Sequence, residues 1–138
     1  MLTDIRRLKS KRGLTLVELL AVVVIVAVLA AIAIPMYTGY MVRARRADAK
    51  TALEQIRAAQ EMMRAERGRY SVDLTLAELR NTWGGPGTTV GDYTISLAGA
   101  TSTVYNGVAT PNTARQTADG ALQIDQNGVK TPTDKWLK

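Results

Sequence analysis

The 138-residue chain has no cysteine, no histidine and no phenylalanine, and only 4 prolines and 2 tryptophans. Without cysteine it forms no disulfide and no thiolate site. Without histidine it lacks the commonest general base and metal ligand. Between Leu14 and Gly68 the only aromatic residues are Tyr37 and Tyr40, which leaves little for conduction through stacked rings. The glycine-rich stretch from Trp83 to Thr89 lacks the Gly-Lys-Ser/Thr ending of a phosphate loop and reads as a turn connector. There is no Asn-x-Ser/Thr acceptor, although Thr101-Ser102-Thr103 offers hydroxyls for O-linked sugars. These absences leave no residue pattern for an enzyme and none for a cofactor or metal.

What is present begins with charge and one long apolar run. The formal net charge is +6, which by itself suggests nucleic acid. Residues 1–13, however, hold five of the 18 basic and one of the 12 acidic side chains, so the remainder carries 13 against 11, a formal +2. Most of the basic excess therefore sits ahead of the run from Leu14 to Ile34, 21 residues in which only Thr15 and Glu18 are polar. As a helix at about 1.5 Å per residue it reaches roughly 31 Å, which matches a bilayer core of about 30 Å. Arg6, Arg7, Lys9, Lys11 and Arg12 lie before it and Arg43, Arg45 and Arg46 after it. The more basic flank stays cytoplasmic, which places the bulk of the chain outside the inner membrane. A cleaved secretory signal ending at Ala31-Ile32-Ala33 is the plain alternative. The length of the run, Glu18 within it and Pro35 just after it argue against that reading.

Glu18 needs a reason to be there, because an acidic residue in a spanning helix costs roughly 2.5–3.5 kcal/mol on insertion scales. The surrounding residues carry a resemblance: Lys11-Arg12-Gly13, then Leu14-Thr15-Leu16-Val17-Glu18-Leu19-Leu20, then Ala30-Ala31-Ile32-Ala33-Ile34-Pro35-Met36-Tyr37. This is similar to the class III signal of bacterial type IV pilins, and the likeness is specific through about Tyr40. The resemblance implies that a prepilin peptidase cuts after Gly13 and methylates the new amine of Leu14. Leu14 stands where phenylalanine is commonest in that family, a departure that bears on cleavage efficiency.

Cutting after Gly13 would create an α-amine with a reference pKa of about 7.7–8.0. It is largely protonated at neutral pH, and Glu18 of one subunit can meet the Leu14 amine of its neighbour in a fibre. The pairing offsets the desolvation of both charges, and methylation keeps the amine charged. Arg43, Arg45 and Arg46 form a compact cluster whose expected role is contact with lipid headgroups or with acidic groups of a neighbouring subunit, with DNA as the weaker reading.

The expected architecture is α+β: a long amino-terminal helix packed on a small antiparallel sheet of three or four strands. The segments are a leader at 1–13, a hydrophobic half-helix at 14–40, an amphipathic half-helix at 41–68 and a head at 69–138. Ala49, Leu53, Ile56, Ala59 and Met63 recur at helical spacing as a core-facing stripe. Lys50, Glu54, Arg57, Glu61 and Arg64 alternate in sign on another face. Pro35 and Gly39 interrupt the helix, and a bend is expected because proline lacks an N–H and clashes with the preceding turn. The resemblance adds local unwinding there within a packed filament. After a stop near Gly68, Leu74, Leu76 and Leu79 are expected to be buried. Tyr93–Leu97, Val104–Thr110 and Ala121–Asp125 alternate as strands. Asn127-Gly128 signals a turn into a short fourth strand at Val129–Thr131.

The carboxy-terminal residues Ala109-Thr110-Pro111, Gln116, Asp119-Gly120, Leu122, Asn127-Gly128 and Trp136 are similar to the end of major pilins. Those usually close this region with a cysteine pair. Here the segment from Asp125 to Lys138 must be held by packing, with Trp136 as a plug, or by neighbouring subunits. The resemblance implies a structural subunit that polymerises with its own kind into a filament for adhesion, twitching motility or DNA uptake. Its further partners are the prepilin peptidase, an inner-membrane assembly platform and membrane lipid. A pseudopilin of a secretion or DNA-uptake machine and a minor pilin share the same signature. The calcium-site pattern expected of a major pseudopilin is not evident in Asp119, Asp125 or Asp134.

Overall fold

The computed structural model describes residues 13–73 and 77–137, the side chains of residues 77, 78 and 83 apart. The leader up to residue 12, and Leu74 and Leu76, lie outside the described residues. The chain divides into two units, Met1–Tyr37 and Thr38–Lys138. A single helix, α1 (Leu16–Arg67), contributes to both.

In the first unit α1 is apolar on every side, and each large apolar side chain from Leu14 to Tyr37 is more than half exposed, from 53 % at Val24 to 78 % at Leu16. Among the described residues this is the one helix long and apolar enough to cross a membrane. A helix that is hydrophobic all round needs lipid or other helices around it.

In the second unit the stripe Ala49, Ala52, Leu53, Ile56, Ala59 and Met63 is buried. α1 stops at Arg67 because Gly68 takes a positive φ of 70°. Its N–H bonds the Arg64 carbonyl at 2.8 Å, the left-handed cap that glycine adopts at least cost. The buried Gln60 then seals the exit: its Nε2 donates to the Ser71 carbonyl at 2.9 Å and its Oε1 accepts from the Ser71 N–H at 2.8 Å.

A short α2 (Ala77–Trp83) follows, then β1 (Thr89–Val90), β2 (Tyr93–Ala98), β3 (Asn106–Pro111), α3 (Ala114–Thr117), β4 (Leu122–Asp125), β5 (Lys130–Thr131) and α4 (Thr133–Leu137). The strands form one sheet in the order β1-β2-β3-β4-β5, each antiparallel to the next. The expected strands are present as β2 to β5, and the sheet has five strands because β1 pairs Thr89 with Thr94 and Val90 with Tyr93. Two residues beside a glycine-rich loop carry no alternation to read.

Period-2 burial turns Ile95, Ala109, Leu122 and Ile124 toward the helix stripe, and Tyr70, Leu79, Tyr93 and Tyr105 complete the core. Gly107 sits where the sheet packs tightly on Leu53 of the helix. A Cβ there would lie 3.3 Å from Leu53 Cδ2 and 3.4 Å from Ile124 Cγ2, so the side chain is excluded by its neighbours.

Candidate functional site: the helix start and the latch of the head

α1 begins with a reciprocal pair of contacts. The Glu18 N–H donates to Thr15 Oγ1 at 3.2 Å, and the Thr15 N–H reaches back to Glu18 Oε2 at 3.5 Å. Thr15-Leu16-Val17-Glu18 is thus a capping box, which satisfies two of the donors that a helix start leaves open. The threonine–x–x–glutamate spacing is itself the sequence signature of this cap. Gly13 and Leu14, just ahead of it, are exposed, and a Cβ at Gly13 would meet no described atom within 4 Å.

Helical conformation continues through Pro35 and Gly39. The expected interruption is therefore not a break in the helix of the single chain, although proline leaves the Ala31 carbonyl without its usual i+4 donor.

The three arginines expected to act as one exposed cluster are separated by the fold. Arg43 is exposed, with its guanidinium 4.7 Å from the Tyr40 ring centroid. Arg45 Nε lies 2.9 Å from Asp92 Oδ2. The same carboxylate also accepts a two-pronged contact from Arg115, Nε to Oδ2 at 2.9 Å and Nη2 to Oδ1 at 3.0 Å. The Arg115 hydrogen bonds, with the Arg45 charge, hold the Asp92 carboxyl below its ordinary range.

Arg46 is buried and turned inward, which corrects the expectation of an outward contact for this residue. Its Nε donates to Asp119 Oδ2 at 2.9 Å, its Nη2 bonds Asp119 Oδ1, and its Nη1 reaches the Lys135 carbonyl at 3.4 Å. Tyr93 donates its hydroxyl to Asp119 Oδ2 at 2.6 Å. Gln116 Nε2 contacts Tyr93 Oη at 2.8 Å, Asp119 Oδ2 at 3.1 Å and the Val42 carbonyl at 3.1 Å. Burial alone would raise the Asp119 pKa, but the bonds from Arg46 and Tyr93 and the Arg46 charge outweigh it, so it falls below the usual carboxylate value. Tyr93 is pushed up to about 12, by burial first and by its bond to Asp119 second. The network ties α1, β2, α3 and α4 together.

The carboxy-terminal segment is closed without cysteine by a second group of contacts. Asp125 Oδ1 accepts the N–H groups of Asn127 and Val129 at 2.9 and 2.8 Å and so shapes the turn into β5. Lys130 Nζ lies 2.5 Å from Glu54 Oε1 and 4.8 Å from the Trp136 ring centroid. Lys50 Nζ donates to the Trp136 carbonyl at 3.1 Å, and the indole packs on the core. The alternating charges of α1 therefore face the head's own carboxy terminus over part of their length. Glu61 and Arg64 instead meet the Tyr70 hydroxyl, at 2.8 and 2.6 Å.

Residues 8–34 match a prokaryotic N-terminal methylation motif. Residues 35–122 match the family described as type IV minor pilin ComP, DNA uptake sequence receptor. The chain belongs to the type IV pilins. It is 45 % identical over 60 residues to the type IV major pilin protein PilA of Myxococcus xanthus, a match that covers 44 % of this chain and only 27 % of that protein's length. The structure is similar to that of a type IV pilin from Shewanella oneidensis, with a TM-score of 0.51 and 26 % identity over 67 % of this chain and 92 % of the other. The non-core minor pilin PilV of Neisseria meningitidis shares the fold at a TM-score of 0.50 and 14 % identity, over 67 % of this chain and 86 % of that one.

Proposed function

We propose that this pilin is made as a single-pass inner-membrane precursor with a cytoplasmic amino terminus, cut after Gly13, methylated on Leu14 and polymerised into a type IV pilus. One observation carries the reading: a helix with apolar side chains exposed on every side must be covered by lipid before assembly and by other copies of itself afterwards. Glu18 then has two successive duties. It helps cap α1 in the single chain, and in the fibre its carboxylate pairs with the Leu14 amine of a neighbour and sets axial register. Arg43 remains available to lipid headgroups or to a neighbour's acidic side chain. Prepilin peptidase and an inner-membrane assembly platform are the partners this route requires, and Pro35 and Gly39 are the positions where the packed helix would unwind.

The test is the intact mass and amino-terminal sequence of the main protein in filaments sheared from the native host. Methylated Leu14 as the dominant terminus supports a major pilin whose filament serves adhesion, motility or DNA uptake. The same terminus in trace amounts supports a minor pilin or a pseudopilin. A terminus near Ile34 overturns the reading.

A minor pilin that touches DNA is a second reading, favoured by the family matched over residues 35–122. Arg115 has a side chain 62 % exposed, and Arg45, Arg115 and Asp92 together leave one net positive charge. Duplex binding that weakens steeply with salt and is reduced by Arg115→Ala supports it, whereas salt-independent or absent binding removes it.

A further inference from the structure

Two Asn-Gly pairs occur in the chain, Asn106-Gly107 and Asn127-Gly128, and the fold treats them differently. In such a pair the glycine has no Cβ, so its backbone nitrogen is unshielded from the carbonyl carbon of the preceding side-chain amide. Whether those two atoms meet depends on how freely the backbone turns and on whether the amide is held.

Asn106 is held on every count. Its Nδ2 donates to Gln123 Oε1 at 2.9 Å. It lies within the sheet, opposite Ala98 on β2 and Asp125 on β4, and Gly107 is flanked in the same way by Leu97 and Ile124. Asn127 stands exposed in the β4–β5 turn, and its side-chain amide has no hydrogen-bond partner among the described residues. The Gly128 N–H donates to the Asp125 carbonyl at 2.9 Å. A single turn bond at the surface opens locally without unfolding the sheet.

The same turn dictates the glycine. Gly128 has a φ of 78°, and a Cβ there would lie 3.1 Å from Arg57 Cζ. A side chain that would shield the nitrogen is therefore excluded twice, by backbone conformation and by α1.

We propose that Asn127 is a site of spontaneous deamidation in the folded head, while Asn106 is spared. The Gly128 nitrogen loses its proton to a solvent base and bonds to Asn127 Cγ. The Cγ–Nδ2 bond breaks, and the amide nitrogen takes up a proton and leaves as ammonia. Water then opens the cyclic imide: attack at Cγ gives aspartate, and attack at the main-chain carbonyl gives isoaspartate, with the chain running through Cγ. Either product sets a new carboxylate beside Asp125, whose Oδ1 holds the Asn127 and Val129 N–H groups. Isoaspartate also lengthens the turn by one backbone carbon.

The full chain in detergent micelles is held at neutral pH, sampled over weeks and digested with trypsin, which separates residues 116–130 from residues 81–115. Tandem mass spectrometry locates the amide-to-acid mass gain, and endoproteinase Asp-N distinguishes aspartate, which it cleaves, from isoaspartate, which it does not. In the folded chain Asn127 should convert at least about tenfold faster than Asn106, and in urea the two should convert at similar rates. An Asn127 amide that persists in the folded chain while the unfolded chain converts overturns the proposal, because the turn then protects it. Equal conversion of both sites in the folded chain overturns it as well. So does a mass gain in residues 116–130 that survives Asn127→Ser. The measurement reads the head of the intact chain, so its result is independent of how the amino terminus is processed or whether filaments form.

Discussion

Arg46 and Asp119 are 73 positions apart in the chain and meet through both oxygens of the carboxylate, with side chains only 10 % and 3 % exposed. A buried ion pair is weak evidence of net stabilisation, since its attraction is set against the desolvation of both charges. What it does supply is a steep penalty for losing one partner. Arg46→Met and Asp119→Leu alone should each destabilise the head by about 3–5 kcal/mol. The double substitution should recover most of that loss, as read by urea unfolding of the full chain in detergent. Singles and double that lose equal stability would show that packing, rather than the uncompensated charge, is what matters.

The same network sets the pH limits of the head. Asp119 has a folded-state pKa below its unfolded value, so its contribution is present above about pH 4 and is lost as pH falls through the lower folded value. Tyr93 is raised from 10.0 to about 12, so its contribution is complete below pH 10 and is lost as pH climbs toward 12. Thermal melts across the pH range should show a plateau with both an acid and an alkaline shoulder. Tyr93→Phe should flatten part of the alkaline one, and the buried Tyr105, also raised, should account for what remains.

Close approach of helix and sheet predicts intolerance at one glycine. Gly107→Val would press into Leu53 and Ile124, and overpacking of this kind costs about 1–3 kcal/mol. A Leu53→Ala background should relieve part of the clash while adding its own cavity cost. If Gly107→Val alone melts like the parent chain, the backbone there has room that the geometry denies.

The capping box at Thr15 and Glu18 allows the two duties of the glutamate to be separated. Glu18→Gln keeps the capping geometry and removes the charge. It should leave helix content and cleavage after Gly13 unchanged while lowering the yield of sheared filaments. Thr15→Ala removes an N-cap worth about 0.5–2 kcal/mol and should fray the start of α1 while sparing assembly. Parent-level filament yield in Glu18→Gln would end the charge-pairing idea.

Trp136 is the last test of how the cysteine-free terminus is held. Trp136→Ala removes its packing on the core and the ring beneath Lys130. The carboxy terminus should then be cleaved faster by a protease such as chymotrypsin at Leu137, with little change in the folding of the β2–β3 hairpin. An unchanged cleavage rate would assign the closure to the polar contacts of Arg46, Lys50, Asp125 and Lys130 instead.

Several features of this pilin were determined by sequence because their signals are contiguous or periodic. Gly13, the 21 residues from Leu14, and Glu18 among them are read in order along the chain. The stripe from Ala49 to Met63 repeats with the helix, and β2, β3 and β4 alternate with the pleat, so each announces which side it will bury. Tertiary structure alone decided which charges meet. Arg43, Arg45 and Arg46 are close neighbours in sequence, yet one stays exposed, one shares Asp92 with Arg115 and one is buried on Asp119. A single charge has no period, and its fate depends on which distant carboxylate the backbone brings within reach and how far both are removed from water. The same holds for the hold of Lys50 on the Trp136 carbonyl, made by a partner far away in the chain, whereas the two-residue β1 pairs with its near neighbour β2 and is simply too short to show alternation.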